Sequence, residues 1–219
     1  FALEWSLSEM WREQGTEPAV VVGHSVGEIV AACVAGAMSM QDGIRLATER
    51  GRLMQALPTT GGIMVAIRRK AADVLQAISD APNNKSVAVA AINGPRTVVI
   101  SGARDEVNEV LHELGTSGIA LEVSHAFHSP LMLPAAGAFR EVVESVQFGP
   151  LKVPLASTVT GKVVEVGSWF GDDHWVKQLS YPVLFMDALE ACLTTCLEVE
   201  SREEKASTSI LEIGPNPIL

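Results

Sequence analysis

Gly23-His-Ser-Val-Gly27 stands between an unbroken apolar run, Ala19-Val-Val-Val22, and a stretch of small and apolar residues that ends at Ala35. The first run shows no alternation, which predicts a short strand covered on both faces, and the second predicts a helix. A strand that turns sharply into a helix through G-x-S-x-G is a nucleophile elbow. The flanking glycines are required where a tight turn leaves no room for Cβ atoms, and the serine is then held in a strained, exposed position. Ser25 is the expected nucleophile. The helix start supplies backbone N–H groups, notably that of Val26, aimed where an oxyanion would form. Glu28, in the first helical turn, suits the helix macrodipole.

The rest of the chain fits an α/β fold with an insertion. Leu3, Leu7, Met10 and Trp11 recur at helical spacing and Gly15 stands where that helix would end. Ser39 with Asp42 forms a capping-box pattern that opens a second helix, running through Leu46, Leu53 and Met54 to Pro58 and carrying Arg45, Arg50 and Arg52. From Gly61 the pattern becomes strand 63–67, helix 71–79, strand 87–92, an Asn93-Gly-Pro-Arg96 turn, strand 97–101, helix 104–114 and strand 119–123. That order, βαββαβ, is the ferredoxin-like split-βαβ unit. A loop with His125-Ala-Phe-His-Ser-Pro130, a helix from about 132 to 146, a strand at 154–157, helices across 173–197 and a last strand at 210–213 would rejoin the first layer. Glu198 to Ser209, rich in charge and in Ser and Thr, is expected as a solvated loop. The expected organisation is an α/β-hydrolase-like large subdomain, 1–60 and 125–219, with an inserted ferredoxin-like small subdomain, 61–124. The chain starts at Phe1 and stops after a Gly-Pro turn, so it reads as a piece of a longer protein.

Composition narrows the partners. Apolar residues make up 47% and charged ones 19%, which supports a large core and excludes disorder. A net charge of −10 gives no global positive field for nucleic acid. The apolar run from Ile29 to Met40 is 12 residues long, short of the roughly 20 that cross a bilayer. Cys33, Cys192 and Cys196 are odd in number and lie in apolar segments, which argues against a disulfide framework and for a reducing, cytoplasmic setting.

A serine hydroxyl needs a base, and the chain has five histidines. His24 adjoins Ser25, but in an elbow its side chain points away. His112 falls in a charged helix and His174 at a helix start. His125 and His128, in the loop after the last small-subdomain strand, remain. No further Cys, His or Asp cluster accompanies His125-x-x-His128, so no metal is expected. Cys192 and Cys196, one helical turn apart, read as core filling.

Five motifs in register, Gly23-His-Ser-Val-Gly-Glu28, Glu49-Arg-Gly-Arg-Leu-Met-Gln55, Ala91-Ile-Asn-Gly-Pro-Arg96, His125-Ala-Phe-His-Ser129 and Leu211-Glu-Ile-Gly-Pro215, resemble the acyltransferase domain of polyketide synthases, akin to malonyl-CoA:acyl carrier protein transacylases. The resemblance covers nearly the whole chain. It implies that Ser25 takes an acyl group from coenzyme A and passes it to the phosphopantetheine thiol of an acyl carrier protein, in polyketide or fatty acid biosynthesis. His128 is then the base and acid, oriented by a backbone carbonyl that the match of Lys177-Gln-Leu-Ser-Tyr-Pro182 assigns to Gln178. Arg50 would bind the extender unit's free carboxylate as a fork, and His24, Asn93, His125 and Phe127 would line the substrate. His-Ala-Phe-His at 125–128 implies malonyl, since a bulky Phe127 leaves no space for a methyl branch, and Val26 agrees. No cofactor is held permanently. Implied partners are malonyl-CoA, the carrier protein, and neighbouring ketosynthase and other synthase domains. The family's Phe-x-Gly-Gln-Gly-type segment, whose glutamine lies at the oxyanion hole, would lie upstream of Phe1.

Two other functions remain open on sequence. An esterase or thioesterase would share the elbow and give the acyl group to water, with Asp80 or Asp105 pressed into a triad, although both sit in the βαββαβ unit. A non-catalytic docking fragment is the other. Because carrier proteins are typically acidic, the densest basic run, Arg68-Arg-Lys70, is a candidate docking face; a solvated strand end is the plainer reading.

Overall fold

The computed structural model describes residues 1–59, 61–81, 85–171, 173–200 and 208–215, with backbone alone for 198–200. Its contacts divide it into two compact units.

The first unit comprises Phe1–Ala47, Val146–Phe170 and Asp187–Leu219. Its helices are α1 (Ala2–Glu13), α2 (Val26–Val34), the first half of α3 (Met40–Gln55) and most of α8 (Phe185–Glu200), and its strands are β1 (Val21–Val22), β6 (Leu155–Ser157) and β7 (Lys162–Val164). β6 is central: it pairs in parallel with β1, Val21 opposite Leu155, and antiparallel with β7, Leu155 opposite Val164. All three β6 residues are buried, whereas β1 is only half-buried. β7 carries no strand signal in the sequence, because its three residues include Lys162 and follow a Gly161 turn. Ala156, Ala188 and Cys192 form a core cluster with Val20, Val22 and Val163 packed on it. The Ser39 cap forms as expected: its Oγ accepts from the Asp42 amide at 3.1 Å.

The second unit comprises Thr48–Ser145 and Gly171–Met186. Its four strands, β2 (Gly62–Ile67), β3 (Ala88–Gly94), β4 (Thr97–Ala103) and β5 (Ile119–Ala120), form one antiparallel sheet in the order β3-β4-β2-β5. With α4 (Ala71–Asp80) and α5 (Arg104–Glu113) in the crossovers, this is the ferredoxin-like unit. Val65, Ile67, Val89, Val98 and Ile100 from the sheet and Val74, Ala77, Val107 and Val110 from the helices form its core. The unit is larger than residues 61–124: the second half of α3, the segment 125–145 and the stretch 171–186 also belong to it.

Several elements differ from the expectation. β5 pairs over two residues, not five, and Ile119 is exposed. The helix expected from 132 starts as a 3-10 turn, Pro130–Ala135, because Pro134 cannot donate within it; α6 (Ala136–Glu144) follows. The strand expected at 210–213 does not form among the described residues, where Ile210 and Leu211 are exposed without a ladder. α8 runs on to Glu200, into the stretch expected as loop; residues 201–207 of that stretch lie outside the described residues. Among the described residues no helix is long and apolar enough to cross a membrane.

Candidate functional site

β1 runs into α2 through His24 and Ser25, and Ser25 adopts φ +51°, ψ −115°. A left-handed φ in a non-glycine residue costs about 1–3 kcal/mol and persists only where the surroundings impose it. The two glycines of the motif have different duties. A Cβ on Gly23 would overlap the Gly27 carbonyl and the Glu28 amide nitrogen, whereas one on Gly27 would meet nothing within 4 Å. The expected need for glycine at both positions therefore holds at Gly23 alone. The turn is closed by the Gly27 amide on the His24 carbonyl at 2.9 Å and the Glu28 amide on the Ser25 carbonyl at 3.0 Å. Val26 opens α2, so its N–H is among the first-turn amides that a helix cannot bond internally, as an oxyanion donor requires.

Glu28 does more than face the helix dipole. Its side chain is 0% exposed, and its carboxylate accepts the Thr158 amide at 3.1 Å and the Thr158 hydroxyl at 2.6 Å.

The second loop follows β5. His128 has φ +55° and is 4% exposed. Ser25 and His128 are the only non-glycine residues of positive φ among those described. His128 Nδ1 lies 3.0 Å from the Tyr181 carbonyl oxygen; a carbonyl only accepts, so Nδ1 carries the proton and Nε2 is the basic nitrogen. The orienting carbonyl is thus that of Tyr181, not Gln178. Gln178 is the last residue of α7 (Asp173–Gln178); the Tyr181 amide still donates to the Lys177 carbonyl at 2.9 Å, and Pro182, which has no N–H and disfavours helical backbone in the residue before it, stops the helical path there. The segment is fixed on the sheet edge beside β3: the Ile92 amide donates to the Val183 carbonyl and the Val183 amide to the Ala90 carbonyl, both at 2.9 Å.

Ser129 braces the loop, donating its hydroxyl to the Ala126 carbonyl at 2.6 Å and capping the 3-10 turn through the Leu131 amide at 3.2 Å. Gly62 is small where Ala126 comes close: an added Cβ would stand 3.1 Å from the Ala126 Cβ. His125 has both ring nitrogens engaged, Nδ1 with the Ser124 hydroxyl at 2.9 Å and Nε2 with the Leu57 carbonyl at 3.0 Å. Facing a carbonyl, Nε2 carries the proton here, and His125 anchors the loop to the chain just after α3. Phe127 is half-buried against the His125 ring, 5.9 Å between centroids.

The sequence matches the acyl transferase domain family over residues 1–202. The chain belongs to that family. It is 41% identical over its whole length to the polyketide synthase GfsB of Streptomyces halstedii, and 37% identical over 98% of its length to the PKS-NRPS hybrid synthetase ATPKS of Aspergillus niger. It spans 4% and 11% of those proteins. The crystal structure of the acyltransferase domain from the second module of the salinomycin polyketide synthase superposes with a TM-score of 0.82 at 40% identity, over 89% of this chain and 45% of that one. The malonyl-CoA:acyl carrier protein transacylase FabD of Xanthomonas oryzae superposes with a TM-score of 0.81 at 31% identity, over 89% and 64%. The chain thus has the α/β fold of these acyltransferase structures.

In this acyltransferase-family chain Arg50 lies on α3 and is 6% exposed, unlike the solvated helix arginine that pattern alone would favour. Its neighbours Glu49 and Arg52 pair on the surface at 2.7 Å. Asn93 is exposed near the end of β3, His24 is half-buried, and His174 and Gln178 are buried. In the basic run, Arg68 and Lys70 are exposed, but Arg69 donates to the Leu114 and Gly115 carbonyls at 3.1 and 3.3 Å, meeting the negative end of α5. Asp80 is engaged with Gln76 on α4, and Asp105 sits in the first turn of α5. Sequence reasoning missed Thr158, Leu57 and Tyr181. The last two act through carbonyls, which any residue carries; only Pro182 hinted at Tyr181.

Proposed function

We propose that the chain provides the catalytic serine and histidine of an acyltransferase that moves a malonyl unit from coenzyme A to an acyl carrier protein. The observation that carries this reading is that the two non-glycine residues of positive φ among those described are a serine at a strand-to-helix elbow, Ser25, and a histidine with Nδ1 on a carbonyl, His128, the residue types that such a transfer needs as nucleophile and base. Ser25 Oγ attacks the thioester carbonyl as His128 Nε2 takes its proton; the C–O bond forms, the C–S bond breaks, and coenzyme A leaves as the thiol with that proton. The phosphopantetheine thiol of the carrier then gives its proton to His128 Nε2 as it attacks the serine ester; the new C–S bond forms, the C–O bond breaks, and Ser25 Oγ regains that proton from the imidazolium. The Val26 N–H stabilises the oxyanion in both steps.

Arg50, on α3, would bind the malonyl carboxylate as a fork, for which a planar guanidinium suits better than a lysine. Phe127 beside the extender's α-carbon favours malonyl over methylmalonyl, a discrimination of roughly 1–3 kcal/mol per methyl. His24 and Asn93 would complete the substrate lining, while His125, with both nitrogens engaged, would support Phe127 from behind. A carbonyl, not a carboxylate, at His128 Nδ1 favours the transferase over a Ser-His-Asp hydrolase. In the parent synthase, ketosynthase and other domains would be neighbours. Arg68 and Lys70 are the residues of the basic run left for an acidic carrier. Arg68→Glu with Lys70→Glu should slow transfer to the carrier and leave Ser25 acylation unchanged; equal losses in both half-reactions would remove these residues from docking.

Competition between malonyl- and methylmalonyl-CoA in the presence of holo carrier protein tests the whole reading. Malonyl on the carrier thiol is the expected product. Free malonic acid and coenzyme A without carrier loading would favour a hydrolase, and no turnover a docking fragment.

A further inference from the structure

We infer that Glu28 and Thr158 form a positioning pair that holds Ser25 in its reactive backbone conformation; this rests on Ser25 being the nucleophile. A serine at φ +51° relaxes toward ordinary backbone unless something fixes both legs of its turn. Thr158 touches both. Its hydroxyl donates to the Glu28 carboxylate at 2.6 Å on the helix leg, and the same oxygen lies 3.4 Å from the Gly23 carbonyl on the strand leg. Glu28 in turn donates its amide to the Ser25 carbonyl at 3.0 Å. A continuous path thus runs from the turn after β6, through Thr158 and Glu28, to the serine backbone.

The origin of that path is itself rigid. β6 pairs in parallel with β1, Val22 opposite Ala156, so the chain two residues beyond Ala156 emerges level with the elbow. There Ser157 Oγ accepts the Val159 and Thr160 amides, both at 3.2 Å, and its carbonyl accepts the Gly161 amide at 2.8 Å. Complementing a helix dipole needs no burial, since an exposed carboxylate at this position does it. Glu28 is fully buried instead, which is unfavourable unless hydrogen bonds replace its water; the short hydroxyl–carboxylate bond is of the charge-assisted kind. A buried, doubly bonded carboxylate one turn from a strained nucleophile is a support for that nucleophile.

Phenylmethylsulfonyl fluoride reads Ser25 reactivity without any acyl substrate: Oγ bonds to sulfur, fluoride leaves, and the proton passes to the base. Its rate of addition to the full chain is followed by intact-protein mass spectrometry for wild type, Thr158→Ser, Thr158→Val and Glu28→Gln, with Ser25→Ala as the blank and circular dichroism as the folding control. Misplacing a reacting group by about 1 Å can cost on the order of 10²-fold, so Thr158→Val and Glu28→Gln should each slow addition at least about tenfold while folded, and Thr158→Ser, which keeps the hydroxyl, should stay within about twofold. A folded Thr158→Val that reacts at the wild-type rate overturns the inference. Should that variant not fold, Glu28→Gln, which keeps volume and one acceptor oxygen, decides in the same way. Wild type reacting no faster than Ser25→Ala would instead overturn the reading of Ser25 as nucleophile.

Discussion

Ser25 sits in an elbow tied by side chains, Glu28 to Thr158, whereas the His128 loop is tied through main-chain carbonyls, that of Tyr181 at 53 residues' separation and that of Leu57, reached by His125, at 68. Both loops put their reactive residue at a left-handed φ, +51° and +55°. The difference decides what mutation can do to each. A side-chain tether is removed by one substitution at the tethering residue. A carbonyl tether survives almost any substitution and yields only when the backbone itself moves.

The largest expected effect comes from the reactive group of the second loop. His128→Ala should lower the rate of Ser25 acylation by about 10²–10⁴-fold, the usual contribution of a positioned base, as measured by single-turnover acylation. A loss below tenfold would mean that the loop carries no base. Gly23→Ala against Gly27→Ala separates the two halves of the elbow motif. The first pushes a methyl into the Gly27 carbonyl and should destabilise by about 1–3 kcal/mol or more; the second enters open space in a helical turn and should be neutral or stabilising by up to about 1 kcal/mol. Thermal unfolding of both decides, and equal destabilisation would contradict the asymmetry.

Phe127→Ser should improve methylmalonyl relative to malonyl transfer by about 10-fold or more, the scale of one methyl in an apolar pocket, read from competition kinetics. The smallest effect is the sharpest for the comparison. Tyr181→Ala keeps the carbonyl and removes a side chain that is 48% exposed, so acylation should stay within about twofold, a factor worth only about 0.4 kcal/mol. A large loss there would show that the ring, not the carbonyl, supports His128.

The same contrast explains what the sequence reveals. The elbow is a local pattern, and strand, turn and helix follow in order within Ala19 to Ala35, so its chemistry is legible from the residues alone. The βαββαβ unit is legible because its strands and helices carry clean periodicities, although β5 is only two residues long, since periodicity does not show where a ladder ends. Elimination leaves two loop histidines, and the family resemblance selects His128 between them. Thr158 is not legible, because its partner Glu28 lies 130 residues away and a threonine after a strand carries no signal of its own. The orienting carbonyl belongs to Tyr181, three residues beyond the expected Gln178, the length of one turn between the end of α7 and Pro182. Pro134 is visible in the sequence, yet apolar spacing alone does not show that it tightens the helix start into a 3-10 turn.

The most direct test is whether malonyl-CoA places one malonyl group on Ser25. Burial, with help from the Asp42 charge, pushes the Cys33 thiol up to about 12, and burial with Cys196 pushes Cys192 to about 11. Both therefore stay protonated near neutral pH and do not compete for the acyl group. Intact-protein mass spectrometry after brief mixing, followed by peptide mapping, should find a single malonyl adduct within Gly23–Gly27 that is absent from Ser25→Ala. An adduct that persists in Ser25→Ala, or one mapped to another residue, would contradict the account.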